Sequence, residues 1–168
     1  MLGCQIAMSR PSFTLILKNL LFTVVVPGSV AVYVPMYLVG DDRGGFLSLG
    51  LAAGLFAIGL CIYLWCLWDF AAFGRGTPAP IDAPKHLVVK GLYRYSRNPM
   101  YLGVLSAVAG WLVLSPSPRL AVYFVGVWSV FQLFVVFYEE PRLLELFGAE
   151  YSDYKGRVGR WLSLPRRR

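Results

Sequence analysis

Four apolar runs, separated by polar joints of very unequal length, organise the chain. The first extends from about Phe13 to Leu38 and is broken by Lys18, Pro27 and Pro35. The second extends from Phe46 to about Phe70, the third from about Met100 to Leu114, and the fourth from Leu120 to Tyr138. A helix needs about 20 residues to cross the hydrocarbon core of a bilayer. The third run falls short, so it is expected to begin inside the Asn98-Pro99 turn and to tilt or rest at an interface. Pro99 suits the first turn of a helix, where its missing N–H costs nothing. Lipid satisfies no free backbone group, so helices are predicted throughout.

The joints divide into two kinds. Asp41-Asp-Arg-Gly-Gly45 and Ser115-Pro-Ser-Pro-Arg119 are tight polar turns that predict hairpins of adjacent helices. The connection from about Ala71 to Asn98 is long and opens on the Gly/Pro-rich piece Gly74-Arg-Gly-Thr-Pro-Ala-Pro80. Beyond Glu139, the residues Leu143, Leu144, Phe147, Tyr151 and Tyr154 recur at helical spacing and predict an amphipathic helix. Gly148 is a candidate interruption of it, and Trp161 beside Arg160 fits an interfacial anchor. The expected architecture is all-α, a membrane bundle of four transmembrane helices with the third short or tilted. It forms a single domain over 1–168, with an N-terminal helical hairpin (1–70) and a second half (71–168).

Composition agrees with this pattern. Apolar residues make up 57% and charged residues 15%, at a mean hydropathy of +0.59; an ordinary soluble domain carries more charge. The net charge of +7 is placed at the ends of the apolar runs rather than along one soluble face, which argues against a nucleic-acid partner. Fourteen of the sixteen Lys and Arg residues fall in the N-terminal end, the 71–98 connection and the tail, against Arg43 and Arg119 in the two tight turns. The positive-inside rule then puts both termini and the long connection in the cytoplasm, as a multi-pass protein of the inner or plasma membrane. No removable signal peptide is evident, so the first span is expected to be retained. Cys4, Cys61 and Cys66 have no metal-ligand spacing, and neither a metal site nor a disulfide framework is expected. Nothing in the pattern indicates an oligomeric state.

Two polar clusters stand at the ends of apolar runs. The segment from His86 to Gly103 contains Arg97-Asn98-Pro99 and the tyrosines Tyr93, Tyr95 and Tyr101. It is either a basic flank with a Pro-initiated helix, or a site where the Arg97 fork binds a carboxylate, Asn98 orients a ligand and the tyrosines form a flat wall. Glu139-Glu140 is either a hydrated helix exit, with Glu139 paired to Arg142, or a seat for an ammonium or sulfonium group. His86, the only histidine, starts a helix or touches a ligand. Asp69 is expected to mark solvent, and Lys18 to snorkel.

Together the clusters resemble the isoprenylcysteine carboxyl methyltransferase family and its relatives among phospholipid methyltransferases. The pattern reads His86-Leu-Val-x-x-Gly91-x-Tyr93-x-x-x-Arg97-Asn98-Pro99-x-Tyr101-x-Gly103, then Glu139-Glu140-x-x-Leu143-x-x-x-Phe147-Gly148-x-x-Tyr151-x-x-Tyr154-x-x-x-Val158. It covers roughly the second half of the chain. The resemblance implies a membrane methyltransferase that uses S-adenosylmethionine, held in a cytoplasmic pocket formed by the 71–98 connection and the C-terminal helix. It also implies a lipophilic, bilayer-borne methyl acceptor. The cofactor-binding residues it implies are His86, Leu87, Gly91, Tyr93, Tyr95, Arg97, Pro99, Tyr101, Glu139 and Glu140, and the catalytic ones Arg97, Asn98 and Glu140. Asn98 stands where the isoprenylcysteine branch often has histidine, and Val158-Gly159-Arg160 lacks the proline that often follows the valine. Alternatives are a phospholipid or small amine/thiol methyltransferase on the same scaffold and a non-enzymatic membrane scaffold. A nicotinamide-dependent, sterol-reductase-like enzyme has many more spans. A soluble Rossmann-type methyltransferase needs a Gly-x-Gly-x-Gly turn that is absent here.

Overall fold

The computed structural model describes residues 13–40, 45–74 and 86–163. Residues 41–44 of the expected Asp41–Gly45 turn, the 75–85 part of the long connection, Cys4, Arg10 and the terminal Arg166–Arg168 lie outside the described residues. Among the described residues there is no strand. Among the described residues three helical stretches are long and apolar enough to cross a membrane, Leu17–Leu38, Phe46–Phe73 and Pro118–Arg157, and Pro99–Leu114 is a shorter apolar helix.

The first run is a single helical stretch with a local defect: α1 (Phe13–Gly28), a π-turn over Ser29–Tyr33, and α2 (Val34–Leu38). Pro27 sits inside α1 and has no N–H to give, which disturbs the ladder around it. The carbonyls of the π-turn find donors on other helices. Trp111 Nε1 donates to the Ala31 carbonyl at 2.8 Å, and the Tyr123 hydroxyl to the Val30 carbonyl at 2.9 Å. The defect thereby fixes how the first helix sits on the helices that carry Trp111 and Tyr123.

Helix α3 (Phe46–Asp69) runs into a π-turn over Phe70–Gly74. Helix α4 (Pro99–Leu114) starts with Pro99 at its first position, after Asn98. These two helices pack through glycines. A Cβ on Gly59 would lie 2.6 Å from the Gly103 carbonyl oxygen, and one on Gly103 would lie 2.9 Å from the Gly59 carbonyl oxygen. Small residues at such a crossing let the backbones approach, which is the main source of helix association in lipid. Farther along, Phe56 stands edge-on to Trp111 with ring centroids 5.3 Å apart.

Helix α5 (Pro118–Phe134) is capped by Ser117, whose hydroxyl oxygen accepts from the Leu120 N–H at 3.2 Å. The tail helix is not a separate element. A π-turn over Val135–Glu139 joins α5 directly to α6 (Glu140–Arg157). A span of about 20 residues is used up near Tyr138, so α6 carries the same rod beyond the hydrocarbon. At Gly148 the backbone takes φ 50° and ψ −120°, and the chain bends. That bend returns Tyr151 and Tyr154, both buried, toward the segment before α4.

The last described residues form a strap, 158–163, laid across that segment. Arg97 N–H donates to the Gly159 carbonyl at 3.0 Å, and Ser163 N–H to the Tyr95 carbonyl at 2.8 Å. Trp161 Nε1 donates to Gln132 Oε1 at 2.8 Å, which pins the strap to α5 rather than leaving the indole as a free anchor.

Candidate functional site

A 3-10 turn over Gly91–Arg94 leads into Asn98-Pro99 and aims Arg97 at the first residue of α6. Arg97 Nη1 donates to Glu140 Oε1 at 2.9 Å and to the Tyr151 hydroxyl at 3.1 Å. Two more cations converge on the same carboxylate. Arg160 Nε lies 2.6 Å from Oε1 and its Nη2 3.2 Å from Oε2, and Lys155 Nζ lies 3.2 Å from Oε2. A carboxylate has about four lone-pair positions, so Glu140 is saturated. Burial works against its ionisation, but the Arg160, Arg97 and Lys155 groups outweigh it and hold its carboxyl below the usual range.

The adjacent Glu139 is handled differently. Tyr101 donates its hydroxyl to Glu139 Oε1 at 2.5 Å, and among the described residues no ion pair reaches Glu139. The Glu139–Arg142 pair of the helix-exit reading is not formed. Arg142 instead pairs with Glu145, also one turn away but on the exposed face, at 3.2 Å. Two consecutive residues of a helix point about 100° apart, which separates the roles of the two acids.

Among the described residues, two cavities adjoin these groups and a larger one adjoins the second of them. A cleft of about 50 Å³ is lined by Leu87, Val88, Arg97, Glu140, Leu143 and Tyr151 among others. An inner cavity of about 100 Å³ is lined by Phe22, Tyr63, Tyr101 and Phe131 among others. Tyr93, Arg97, Asn98 and Glu139 belong to both linings and form the wall between them. A larger, almost wholly apolar cavity of about 360 Å³ lies between the first helix, α3 and α4. It shares Pro27, Tyr63 and Val104 with the inner cavity. Tyr63, at this junction, is hydrogen-bonded to the Thr23 hydroxyl at 2.8 Å.

The fold thus brings together Tyr93, Arg97, Asn98, Tyr101, Glu139 and Glu140, with Leu87 at the rim. Burial pushes the Tyr93 phenol well above its ordinary range, so it stays a neutral hydroxyl. The other expected site residues do different work. His86 and Tyr95 are exposed and line none of these cavities. Pro99 is buried as the first residue of α4. Gly91 has φ 57°, and a Cβ there would collide with Asp69 Oδ2, so its role is the turn itself. Asn98 is locked in place: its Nδ2 donates to the Arg160 carbonyl at 3.0 Å and its N–H to Ser96 Oγ at 3.0 Å. Asp69 does not mark solvent. It is 3% exposed, at the packed end of α3 against the Gly91 turn.

Arg160, Lys155 and Tyr151 complete the site; Arg160 and Lys155 were legible only as basic residues of the tail, and Tyr151 as part of the amphipathic face and of the family pattern. The spacing that could have found them is helical: Tyr151 and Lys155 are four apart, on the α6 face that returns to Glu140 after the Gly148 bend.

The donor set fits a small zwitterionic ligand. Arg97 Nε is buried with no acceptor, an N–H suited to a carboxylate. Lys155, half exposed, places an ammonium on Glu140 where a ligand ammonium can replace it.

Residues 47–150 match the model of the family described as phospholipid methyltransferase. Among curated relatives, the protein-S-isoprenylcysteine O-methyltransferase of Saccharomyces cerevisiae is 40% identical over 75 residues, 44% of this chain and 31% of that protein. Protein-S-isoprenylcysteine O-methyltransferase B of Arabidopsis thaliana is 38% identical over 73 residues, 43% of this chain and 36% of that protein. The Rattus norvegicus protein-S-isoprenylcysteine O-methyltransferase is 34% identical over 114 residues, 64% of this chain and 39% of that protein. The matched region spans about a third of the length of these relatives. No solved structure matches.

Proposed function

Because the chain belongs to the phospholipid methyltransferase family, we propose that it transfers a methyl group from S-adenosylmethionine to a lipophilic acceptor at the cytosolic surface of a membrane. One observation carries this function: Tyr93, Arg97, Asn98 and Glu139 form a common wall between a polar cleft and a cavity that adjoins a larger apolar one. A polar donor on one side and an apolar acceptor on the other meet at that wall.

When bound, the sulfonium cofactor supplies a methyl carbon that is already electrophilic, so the protein's task is alignment and exclusion of water. Glu140 takes the cofactor's ammonium in place of Lys155. The free Arg97 Nε–H receives a carboxylate. Tyr93, Leu87 and Leu143 give the apolar and aromatic surface of the cleft. Asn98 is a positioning residue, since its amide is spent on the Arg160 carbonyl and fixes the strap over Arg97. The cleft, at about 50 Å³, is smaller than a nucleoside, so loading requires its lining to widen.

The acceptor's tail lies in the apolar cavity and its polar end in the inner one. The carboxyl of an S-prenylated cysteine, the group named in the relatives, is one such acceptor. The excess of Lys and Arg outside the two tight turns supports cytosolic placement of both termini and of the site. Calorimetric titration of the detergent-solubilised protein with S-adenosylhomocysteine tests the cofactor site. Binding is expected in the wild type, with loss in Arg97→Ala and Glu140→Gln variants that still fold. Equal binding in all three removes the site assignment, and no binding in the wild type favours a non-enzymatic scaffold.

A further inference from the structure

The joint between the inner cavity and the large apolar one is built from Pro27, Tyr63 and Val104. The charged groups of the inner cavity, Arg97 and Glu139, do not line the large one. The joint is therefore neutral, and its chemistry lies in hydrogen bonds. Tyr63 is 6% exposed, and its hydroxyl is 2.8 Å from the Thr23 hydroxyl. Thr23 lines the large cavity and not the inner one, so the phenol oxygen stands at the edge of the large cavity.

The directions of these bonds follow from their protons. Thr23 has one hydroxyl proton, which goes to the Asn19 carbonyl at 2.7 Å, one turn back. Thr23 Oγ1 then accepts from Tyr63, which uses the one proton of the phenol. Trp111 Nε1, the other side-chain donor in the lining of the large cavity, is spent on the Ala31 carbonyl. Acceptors are left over. The Tyr63 oxygen keeps an unused lone pair, and no donor to it is present among the described residues. Thr23 supplies a second acceptor, because Pro27 has no N–H for the Thr23 carbonyl four residues back. Gly28 lines the large cavity too, and a Cβ there would lie 3.2 Å from that carbonyl oxygen and cover it. A buried acceptor without a donor is costly in apolar surroundings, and an N–H or O–H from a ligand relieves it. A ligand acceptor at the same point would set lone pairs against lone pairs.

We propose that Tyr63 is a specificity-determining residue, whose oxygen accepts from a hydroxyl or amide N–H carried by the methyl acceptor between its polar end and its tail. The inference rests on the methyl-transfer function above and adds a requirement on the acceptor. Tyr63 reads the ligand and takes no part in the transfer itself.

Probe pairs that differ in one donor test this, with the full chain in lipid nanodiscs and no cofactor. Nanodiscs without the protein are the reference, so partitioning into lipid cancels. N-Dodecylacetamide is expected to bind about tenfold more tightly than dodecyl acetate, the worth of a hydrogen bond made against one left unmade. A secondary tetradecanol is likewise expected to outbind the matching ketone, and the larger of the two ratios identifies amide or hydroxyl as the natural donor. In Tyr63→Phe the amide and the alcohol weaken, and both ratios fall at least fivefold, toward one. In Thr23→Val the phenol proton loses its acceptor and is free for the ligand, so the ratios fall because the ester and the ketone tighten. A loss of packing alone weakens both members of a pair and moves no ratio. Affinity for S-adenosylhomocysteine is unchanged in both variants, since neither residue lines the cleft. Equal binding within both pairs by the wild type overturns the proposal, as do ratios unmoved by either substitution. In those cases S-adenosylhomocysteine binding still upholds methyl transfer. A donor preference in a wild type that binds no S-adenosylhomocysteine overturns methyl transfer instead, with the donor-reading site remaining.

Discussion

Arg97 and Glu140 are 43 positions apart and meet at 2.9 Å, with side chains only 9% and 8% exposed. Nearly buried ion pairs of this kind are costly to break, because removing one partner strands the other charge at about 3–5 kcal/mol. Glu140→Gln is therefore expected to lower the unfolding midpoint in detergent as well as cofactor affinity. Arg97→Lys keeps the charge but lacks the fork that reaches both Glu140 and Tyr151 while leaving Nε free. It should fold and still lose at least tenfold in S-adenosylhomocysteine affinity by calorimetry.

Acid sensitivity follows from the same carboxylate. The cations around Glu140 overcome its desolvation and lower its folded pKa. Its contribution to stability is complete above the ordinary carboxylate value of about 4.3 and is lost as pH falls through the lowered folded value. Arg160→Gln removes two of its hydrogen bonds, so the acid unfolding transition, followed by tryptophan fluorescence, should move to higher pH.

Two glycines make the site possible through backbone conformation. At Gly148 a side chain adds strain of about 1–3 kcal/mol at φ 50°. Gly148→Ala should shift Tyr151 away from Arg97 and weaken cofactor binding more than it lowers thermal stability. Gly91→Ala has φ 57° and a collision with Asp69 Oδ2 besides, so reduced folded yield on size-exclusion chromatography is expected.

The α3–α4 crossing responds to volume alone. A methyl on Gly59 meets a backbone oxygen at 2.6 Å, which only helix separation relieves. Gly59→Ala should cost about 1–3 kcal/mol, the range of overpacked cores, read as a lower unfolding midpoint. The equally small change Gly126→Ala, where a Cβ meets nothing, should leave it unchanged.

Filling the large apolar cavity separates tail binding from chemistry. Ala107→Phe projects into that cavity, away from Arg97 and Glu139. The KM for long-tailed acceptors should rise at least tenfold, with kcat and S-adenosylhomocysteine affinity little changed.

The four apolar runs, the start of α4 at Pro99 and the break at Gly148 were legible in the sequence, because each depends on local rules. Apolar length sets a span, proline begins a helix, and glycine alone accepts φ 50° at low cost. Pattern alone also placed Arg97 and the paired acids at one end of the bundle. It left the acids equivalent, offered Arg142 as one partner for Glu139 and set Asp69 in solvent. These gaps share a cause, since what each side chain packs against lies on another element and local spacing carries no record of it. Tertiary structure decided that Glu140 collects three cations from two distant segments while Glu139, turned by one residue of helix, faces the inner cavity. A hydrogen bond or ion pair acts only over a few ångströms. Which charges come within that reach is set by the α6 bend and the strap, after the chain has packed.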